Sequence, residues 1–376
     1  SGKTWSLVQA LNFAVGAKGV EFKNNGQKIA CITYTNIAKD EIIARTEHNE
    51  IIHVSTIHDF LWHCIRRFQA ELKVKLLELL EEKIEKKKEE LDGLTERAVK
   101  SREKANERIN NYTDAIENIK SEKLKINYDN YSVYKEGKFS HDALIVIAEK
   151  IFSSYPKIRK IITDAYPIIF VDEYQDTQKE TIVILLRYLQ GKQDFTLGFF
   201  GDKKQQIYDT GVGEISNEYN LKLIQKTENY RSSKEVIELL NKIREDIQQY
   251  QPAVNSRRGE TIFFYQNNVT DFSAKTFVET HLKDKWGLTC TDDVKTLYLT
   301  HRFIAKENNY ETLYQLHSKI SDTLTKNKDN RGISPWTDFL FDIEELADFY
   351  QNKRIPQLLK KIDFVVDSFG SKKKLK

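Results

Sequence analysis

The chain has 376 residues, enough for two or more domains. Its 59 basic and 56 acidic residues leave a net charge of +3, which excludes a general polyanion binder and leaves only a local groove for nucleic acid. No apolar run is long enough to span a membrane. Cys31, Cys64 and Cys290 are too scattered for a zinc site and suit a reducing cytoplasm.

The chain opens on Ser1-Gly2-Lys3-Thr4, and Trp5–Phe13 reads as a helix. That string matches the tail of a phosphate-binding loop. Lys3 can reach β- and γ-phosphates and the Thr4 hydroxyl can reach Mg²⁺, while the helix start adds free N–H groups. An ordinary capped helix start is the alternative. A strand over 28–34, a helix over 37–45, a strand over 51–54 and a helix from Thr56 follow.

From Glu71 to Glu122 the chain is densely charged and holds no proline. Leu77, Ile84, Leu91, Ala98, Ala105, Tyr112 and Ile119 recur every seven residues, which predicts long helices with one narrow apolar seam. Asp92-Gly93 marks a turn, so an antiparallel hairpin is the preferred picture over one continuous helix. It is either a docking arm for a protein or duplex, or a solvated pair that stiffens the insertion.

Helices are expected over 141–152 and 156–162, with Pro156 at the first position of the second. Ile168-Ile169-Phe170-Val171 is a doubly buried strand that runs into Asp172-Glu173-Tyr174-Gln175-Asp176-Thr177. A buried strand ending on two acids is costly unless a cation meets them. Thr177 is expected to cap a helix reaching Leu189. A second apolar strand, Thr196–Phe200, leads into Gly201-Asp202-Lys203-Lys204-Gln205-Gln206-Ile207-Tyr208. Gln205 there could bond a terminal phosphate or its water. Taken alone, this string also reads as a polar turn.

Residues 221–225 read as a strand. Glu228-Asn229-Tyr230-Arg231-Ser232-Ser233 then presents an arginine able to neutralise transition-state charge, or simply a surface arginine before a helix over 233–247. Strands over 261–265 and 296–299 flanking a helix over 272–283 predict a βαβ unit. From Leu313 the chain reads as helical, with a helix starting near Trp336 and a solvated lysine-rich tail.

The order of these motifs resembles superfamily 1 helicases of the UvrD/Rep/PcrA group. SGKT resembles the end of that family's Walker A loop and VDEYQDT its Walker B motif. Cys31–Ala38, Ser55–Phe60, GDKKQQIY and ENYRSS resemble four further motifs in the same order. Thr296–Arg302 resembles a later strand more loosely. The likeness covers roughly residues 1–310.

The resemblance implies an α/β fold, with RecA-like parallel-sheet motor domains and inserted helical subdomains. Residues 1–70 and 140–226 would form the first motor domain, and 71–139 an inserted helical arm. Residues 227–312 would begin the second motor domain and 313–376 the second insertion. It also implies ATP and Mg²⁺ as cofactors. Gly2, Lys3 and Thr4 would hold the nucleotide, Thr4 and Asp172 the metal. Glu173 would activate water, Gln205 would sense the γ-phosphate and Arg231 would reach it from the second motor domain. Tyr34, Thr56 and His58 would face single-stranded or junction DNA.

The pattern is also broken. Tyr208 is followed by Asp209-Thr210-Gly211-Val212-Gly213, without the family's stacking aromatic and arginine. The first Walker A glycine, the strand before it and two late motifs are not found. A sheet lacking that strand is expected to leave an open apolar slot, so the chain is expected to be an internal segment of a longer protein. The expected activity is ATP-driven translocation on single-stranded DNA with strand separation, in the cytoplasm. One alternative is a nucleic-acid-stimulated ATPase switch that does not unwind. Helicases of this type, including those resembling the Gabija antiphage helicase subunit, can work beside a nuclease, so a protein partner through the 71–122 arm is a further expectation. The other alternative is a non-catalytic scaffold segment.

Overall fold

The computed structural model describes residues 2–315 except 96–97, 122–123, 130, 190–194, 208, 210, 266–272, 289–293 and 313, with isolated residues between 343 and 358. Contacts divide the chain into residues 1–262 and residues 263–376.

In the first unit, helix α1 (Lys3–Asn25) starts at Gly2, whose φ of 100° only glycine adopts readily. It runs well past the expected Phe13 and stops at Gly26, also left-handed, where the Gly26 and Gln27 N–H groups close the last turn. Strands β1 (Ile29–Thr33), β2 (Ile52–Thr56), β5 (Ile168–Asp172) and β6 (Thr196–Phe200) form one parallel sheet in the order β2-β1-β5-β6. The two short strands between them in sequence, β3 (Asn127–Tyr128) and β4 (Lys138–Phe139), pair separately.

Side chains alternate across the sheet. Ile29, Cys31, Val54 and Phe170 face α1, packing on Leu7, Leu11 and Phe22. Ala30, Ile32, Ile169 and Val171 face the opposite core with Phe60, Leu144 and Ile151. The second layer comprises α3 (Ile57–Ile65), α6 (His141–Ser154) and α7 (Pro156–Ala165), with Pro156 at the first turn as expected. Burial on both faces explains the near-continuous apolar strands. Among the described residues the four strands pair in unbroken succession, with no gap between them and with β2 and the half-exposed β6 at the outer edges.

Helices α4 (Gln69–Asp92) and α5 (Val99–Ser121) make the antiparallel hairpin with its turn at Gly93. The seven-residue column is part of the seam on α5, where Ala105 and Ile119 are buried, but it is not the main stripe of α4. Leu77, Ile84 and Leu91 are half-buried, whereas Leu72, Leu76, Leu79 and Leu80 are fully buried in the main core. The first half of α4 is a core helix with a 3.6-residue period, and only the distal half stands clear.

Other expectations differ from the structure. Thr177 does not cap the next helix, α8 (Lys179–Val183), which follows Gln178; the Thr177 hydroxyl is buried without a partner. Residues 221–225 form no strand. Helix α9 (Lys234–Ile243) stops short of Ile247 because Arg244 turns extended. Residues 227–262, expected to begin the second motor domain, cluster with the first unit.

In the second unit, the expected helix is seen as α10 (Ala274–Phe277) continuing in π form to Leu282, and α11 (His301–Glu307) follows. The flanking segments 263–265 and 296–299 run without ladder partners among the described residues, as do 261–262 at the end of the first unit. Their apolar side chains stay exposed, Leu297 and Leu299 at 95% each. No βαβ unit is therefore formed among the described residues. The helix expected near Trp336 and the lysine tail lie outside the described residues.

Candidate nucleotide site

The carboxyl ends of the parallel strands converge, as sites in such sheets require. Thr33 stands in register with Thr56, and Asp172 with Phe200. Tyr34, Glu173 and Gly201 are therefore the first residues to leave the sheet on neighbouring strands. Glu173 does so at φ 45° and ψ 46°, a left-handed conformation that costs about 1–3 kcal/mol in a non-glycine residue.

From the start of α1, the Lys3 ammonium donates to Glu173 Oε2 at 2.5 Å and to Gln205 Oε1 at 3.1 Å. Three residues that the sequence places at 3, 173 and 205 thus share one hydrogen-bond cluster. Gln175, quoted within its motif but given no role, organises it. Its Nε2 donates to Glu173 Oε2 at 2.8 Å and to Asp176 Oδ2 at 3.1 Å, while its Oε1 accepts from the Asp202 amide at 3.0 Å. Asp176 Oδ1 accepts from the Ile207 amide at 2.9 Å. A side chain at Gly201 would collide with Gln175 Oε1 and the Tyr174 ring, so glycine lets the 201–207 turn close onto this loop.

Asp172 is buried, and its Oδ1 has no hydrogen-bond partner. Burial, and then the neighbouring Glu173 charge, push its carboxyl up to about 6. An orphaned carboxylate oxygen of this kind is short of a cation. The Thr4 hydroxyl and the Asp172 carboxylate are the hard oxygen donors that Mg²⁺ prefers, so the residues fit the metal the motifs imply.

Arg231 is not part of this cluster. It is exposed, on a turn built by buried Asn229, whose Oδ1 accepts from the Arg231 and Ser232 amides at 3.1 and 3.0 Å. The arginine that does meet the site is Arg244, which carried no signal in the sequence. Its guanidinium grips both oxygens of Asp202, at 2.5 and 2.9 Å.

A cleft of about 280 Å³ opens beside the cluster, lined by Tyr34, Thr35, Glu173, Gln175, Gln205 and Ile207. Tyr34 is 38% exposed there. Thr56 is the cap of α3, its hydroxyl accepting from the Asp59 amide at 3.3 Å. His58 lies edge-on to His141 with its Nε2 buried and unpaired, and burial lowers its pKa to about 4. The segment after residue 210 folds back onto the acidic loop: Val212 N donates to Thr177 O at 2.8 Å and Gly213 N to Gln175 O at 3.1 Å.

The chain is similar in sequence to known proteins. The family model of the UvrD/REP helicase N-terminal domain matches residues 1–226. The Gabija protein GajB of Bacillus cereus (strain HuB5-5) is 29% identical over 383 aligned residues, covering 84% of this chain and 55% of that protein. An ATP-dependent DNA helicase PcrA of Staphylococcus epidermidis is 27% identical, covering 65% of this chain and 36% of that protein. A PcrA of Staphylococcus aureus is 24% identical, with 80% and 45% covered. The chain thus spans roughly a third to just over half the length of these relatives. With the matching model covering more than half of it, the chain belongs to the UvrD/REP helicase family.

Proposed function

We propose that this chain carries the ATP-hydrolysing site of a cytoplasmic DNA helicase that moves along single-stranded DNA and separates strands. The observation that carries the reading is the convergence of Lys3, Glu173 and Gln205 beside a buried, cation-starved Asp172. Gly2 and Lys3 bind the phosphates at the start of α1. Thr4 and Asp172 hold Mg²⁺, which when bound neutralises phosphate charge. Glu173 takes the proton of the attacking water and Gln205 bonds the terminal phosphate or that water. Arg231, exposed on its Asn229-built turn, reaches the phosphate only when that turn moves inward.

Tyr34 offers a ring to a DNA base at the mouth of the cleft, and Thr56 and His58 shape the neighbouring β2–α3 corner. Because Tyr34 and Glu173 line the same cleft, DNA at the ring and nucleotide at the acid are positioned to sense each other. The distal half of the α4–α5 hairpin stands clear for duplex or a protein partner.

A second reading, an ATPase switch without unwinding, is favoured by one observation. The segment after residue 210 is spent on backbone bonds to Gln175 and Thr177, and it offers no aromatic for stacking. Strand displacement measured beside DNA-stimulated phosphate release separates the two. Both activities together support the motor, release without displacement supports the switch, and neither activity overturns both in favour of a scaffold.

A further inference from the structure

The grip of Arg244 on Asp202 is absorbed by none of the roles above. Both side chains are largely buried, at 17% and 15% exposure. Each oxygen of Asp202 accepts two donors. Oδ1 takes Arg244 Nη2 at 2.9 Å and the Lys204 amide at 3.1 Å; Oδ2 takes Arg244 Nη1 at 2.5 Å and Gln205 Nε2 at 2.9 Å. Arg244 is itself fixed from behind by Asp246, at 3.1 Å from Nε and 2.9 Å from Nη2. A planar guanidinium clamped between two carboxylates has little freedom, and lysine cannot reproduce that fork.

The consequence falls on Gln205. A carboxylate only accepts hydrogen bonds, so Asp202 fixes which way the Gln205 amide faces: Nε2 toward Asp202, Oε1 toward Lys3. An amide turned the other way would set N–H against the Lys3 ammonium. Burial raises the pKa of Asp202, but hydrogen bonds from Arg244 and the Lys204 amide outweigh it and hold the carboxyl below its ordinary value. Asp202 therefore stays an acceptor at neutral pH.

We propose that Arg244 is a positioning residue for the nucleotide site: by clamping Asp202 it locks the orientation of the Gln205 amide against Lys3. The clamp also ties α9 to that amide. The helix begins directly after the Arg231 turn, capped by Ser233, and ends at Arg244, about 15 Å away. It forms a strut with the exposed arginine's turn at one end and the anchor of Gln205 at the other. Inward movement of that turn is felt at Gln205 through Arg244.

The proposal rests on the ATPase reading for its kinetic consequence, while the anchoring of the 202–205 turn by Arg244 can be tested without it. In the full chain, Arg244→Gln is expected to lower kcat for ATP by about 10- to 100-fold, the size of effect a small misplacement of a catalytic group produces, with KM changed much less. Amide hydrogen exchange at Lys204 should accelerate by about tenfold or more while the β1 and β5 amides stay protected. Arg244→Lys, which keeps the charge, should restore only part of either effect. If Arg244→Gln also loses protection in β1 and β5, Arg244→Lys decides. Wild-type kcat together with wild-type exchange at Lys204, in Arg244→Lys or in a folded Arg244→Gln, overturns the proposal. A wild-type chain without ATPase activity would overturn the functional reading alone, and exchange at Lys204 would still decide whether Arg244 sets this turn.

Discussion

The Lys3 ammonium lies 2.5 Å from a carboxylate oxygen of Glu173, 170 positions away in the chain. The cation proposed for the phosphates and the acid proposed for the water thus neutralise each other. In the proposed site, an entering triphosphate would compete with Glu173 for Lys3 and, on displacing it, would free Glu173 to act as a base.

Glu173→Gln should therefore separate binding from chemistry. Loss of a positioned general base lowers turnover by about 10²–10⁴-fold. Affinity for the nucleotide should hold or rise, because glutamine competes less strongly for the ammonium. Phosphate release and equilibrium nucleotide binding, measured on the same variant, check this; weaker binding together with full turnover would contradict it.

Removing the Tyr34 ring should act on DNA rather than on nucleotide. Base–aromatic stacking is worth about 1–3 kcal/mol, so Tyr34→Ala should weaken single-stranded DNA binding several-fold or more. Nucleotide binding without DNA should be unchanged. Fluorescence anisotropy with a labelled oligonucleotide measures the first and calorimetry the second.

The two halves of the hairpin should differ in stability. Leu76→Ala empties a fully buried site in the main core and should cost about 2–5 kcal/mol. Ile84→Ala, on the half-buried distal seam, should cost about 1 kcal/mol. Urea unfolding gives both numbers, and equal costs would mean the hairpin is one uniform element.

Acid should destabilise the first unit through two histidines. Burial, then the nearby His63 and His141 respectively, lower His53 and His58 to about 4 from an ordinary 6.5. Between those values the unfolded chain binds protons that the folded chain refuses. Stability is therefore complete above about 6.5 and is lost as pH falls toward about 4. His58→Gln should flatten that dependence; an unchanged slope would mean His58 is not buried in neutral form.

Much of the sheet was legible because doubly buried parallel strands read as short apolar runs. Thr196–Phe200 and Ile168–Val171 needed no partner information to be seen. The approach of Lys3 to Glu173 was legible from motif chemistry. The clamp on Asp202 was not, because Arg244 sits in an ordinary amphipathic helix pattern and its role arises only from where that helix ends. The segments 261–265 and 296–299 carry strand-like sequence, yet strands exist only through neighbours, and none pairs with them among the described residues. Along α4, the seven-residue column through Leu77, Ile84 and Leu91 masked the 3.6-residue core stripe of Leu72, Leu76, Leu79 and Leu80, because Leu77 sits directly beside Leu76 in the same turn.

Lys3 and the acids at 172 and 173 are proposed to serve one magnesium-bound triphosphate. Calorimetric titration of a non-hydrolysable ATP analogue tests it most directly. The account predicts one nucleotide per chain, dependent on Mg²⁺, with affinity falling by about 10- to 100-fold in Lys3→Ala, the scale of a lost charge-assisted hydrogen bond, and with the Mg²⁺ dependence lost in Asp172→Asn. Nucleotide binding that is indifferent to both substitutions would contradict it.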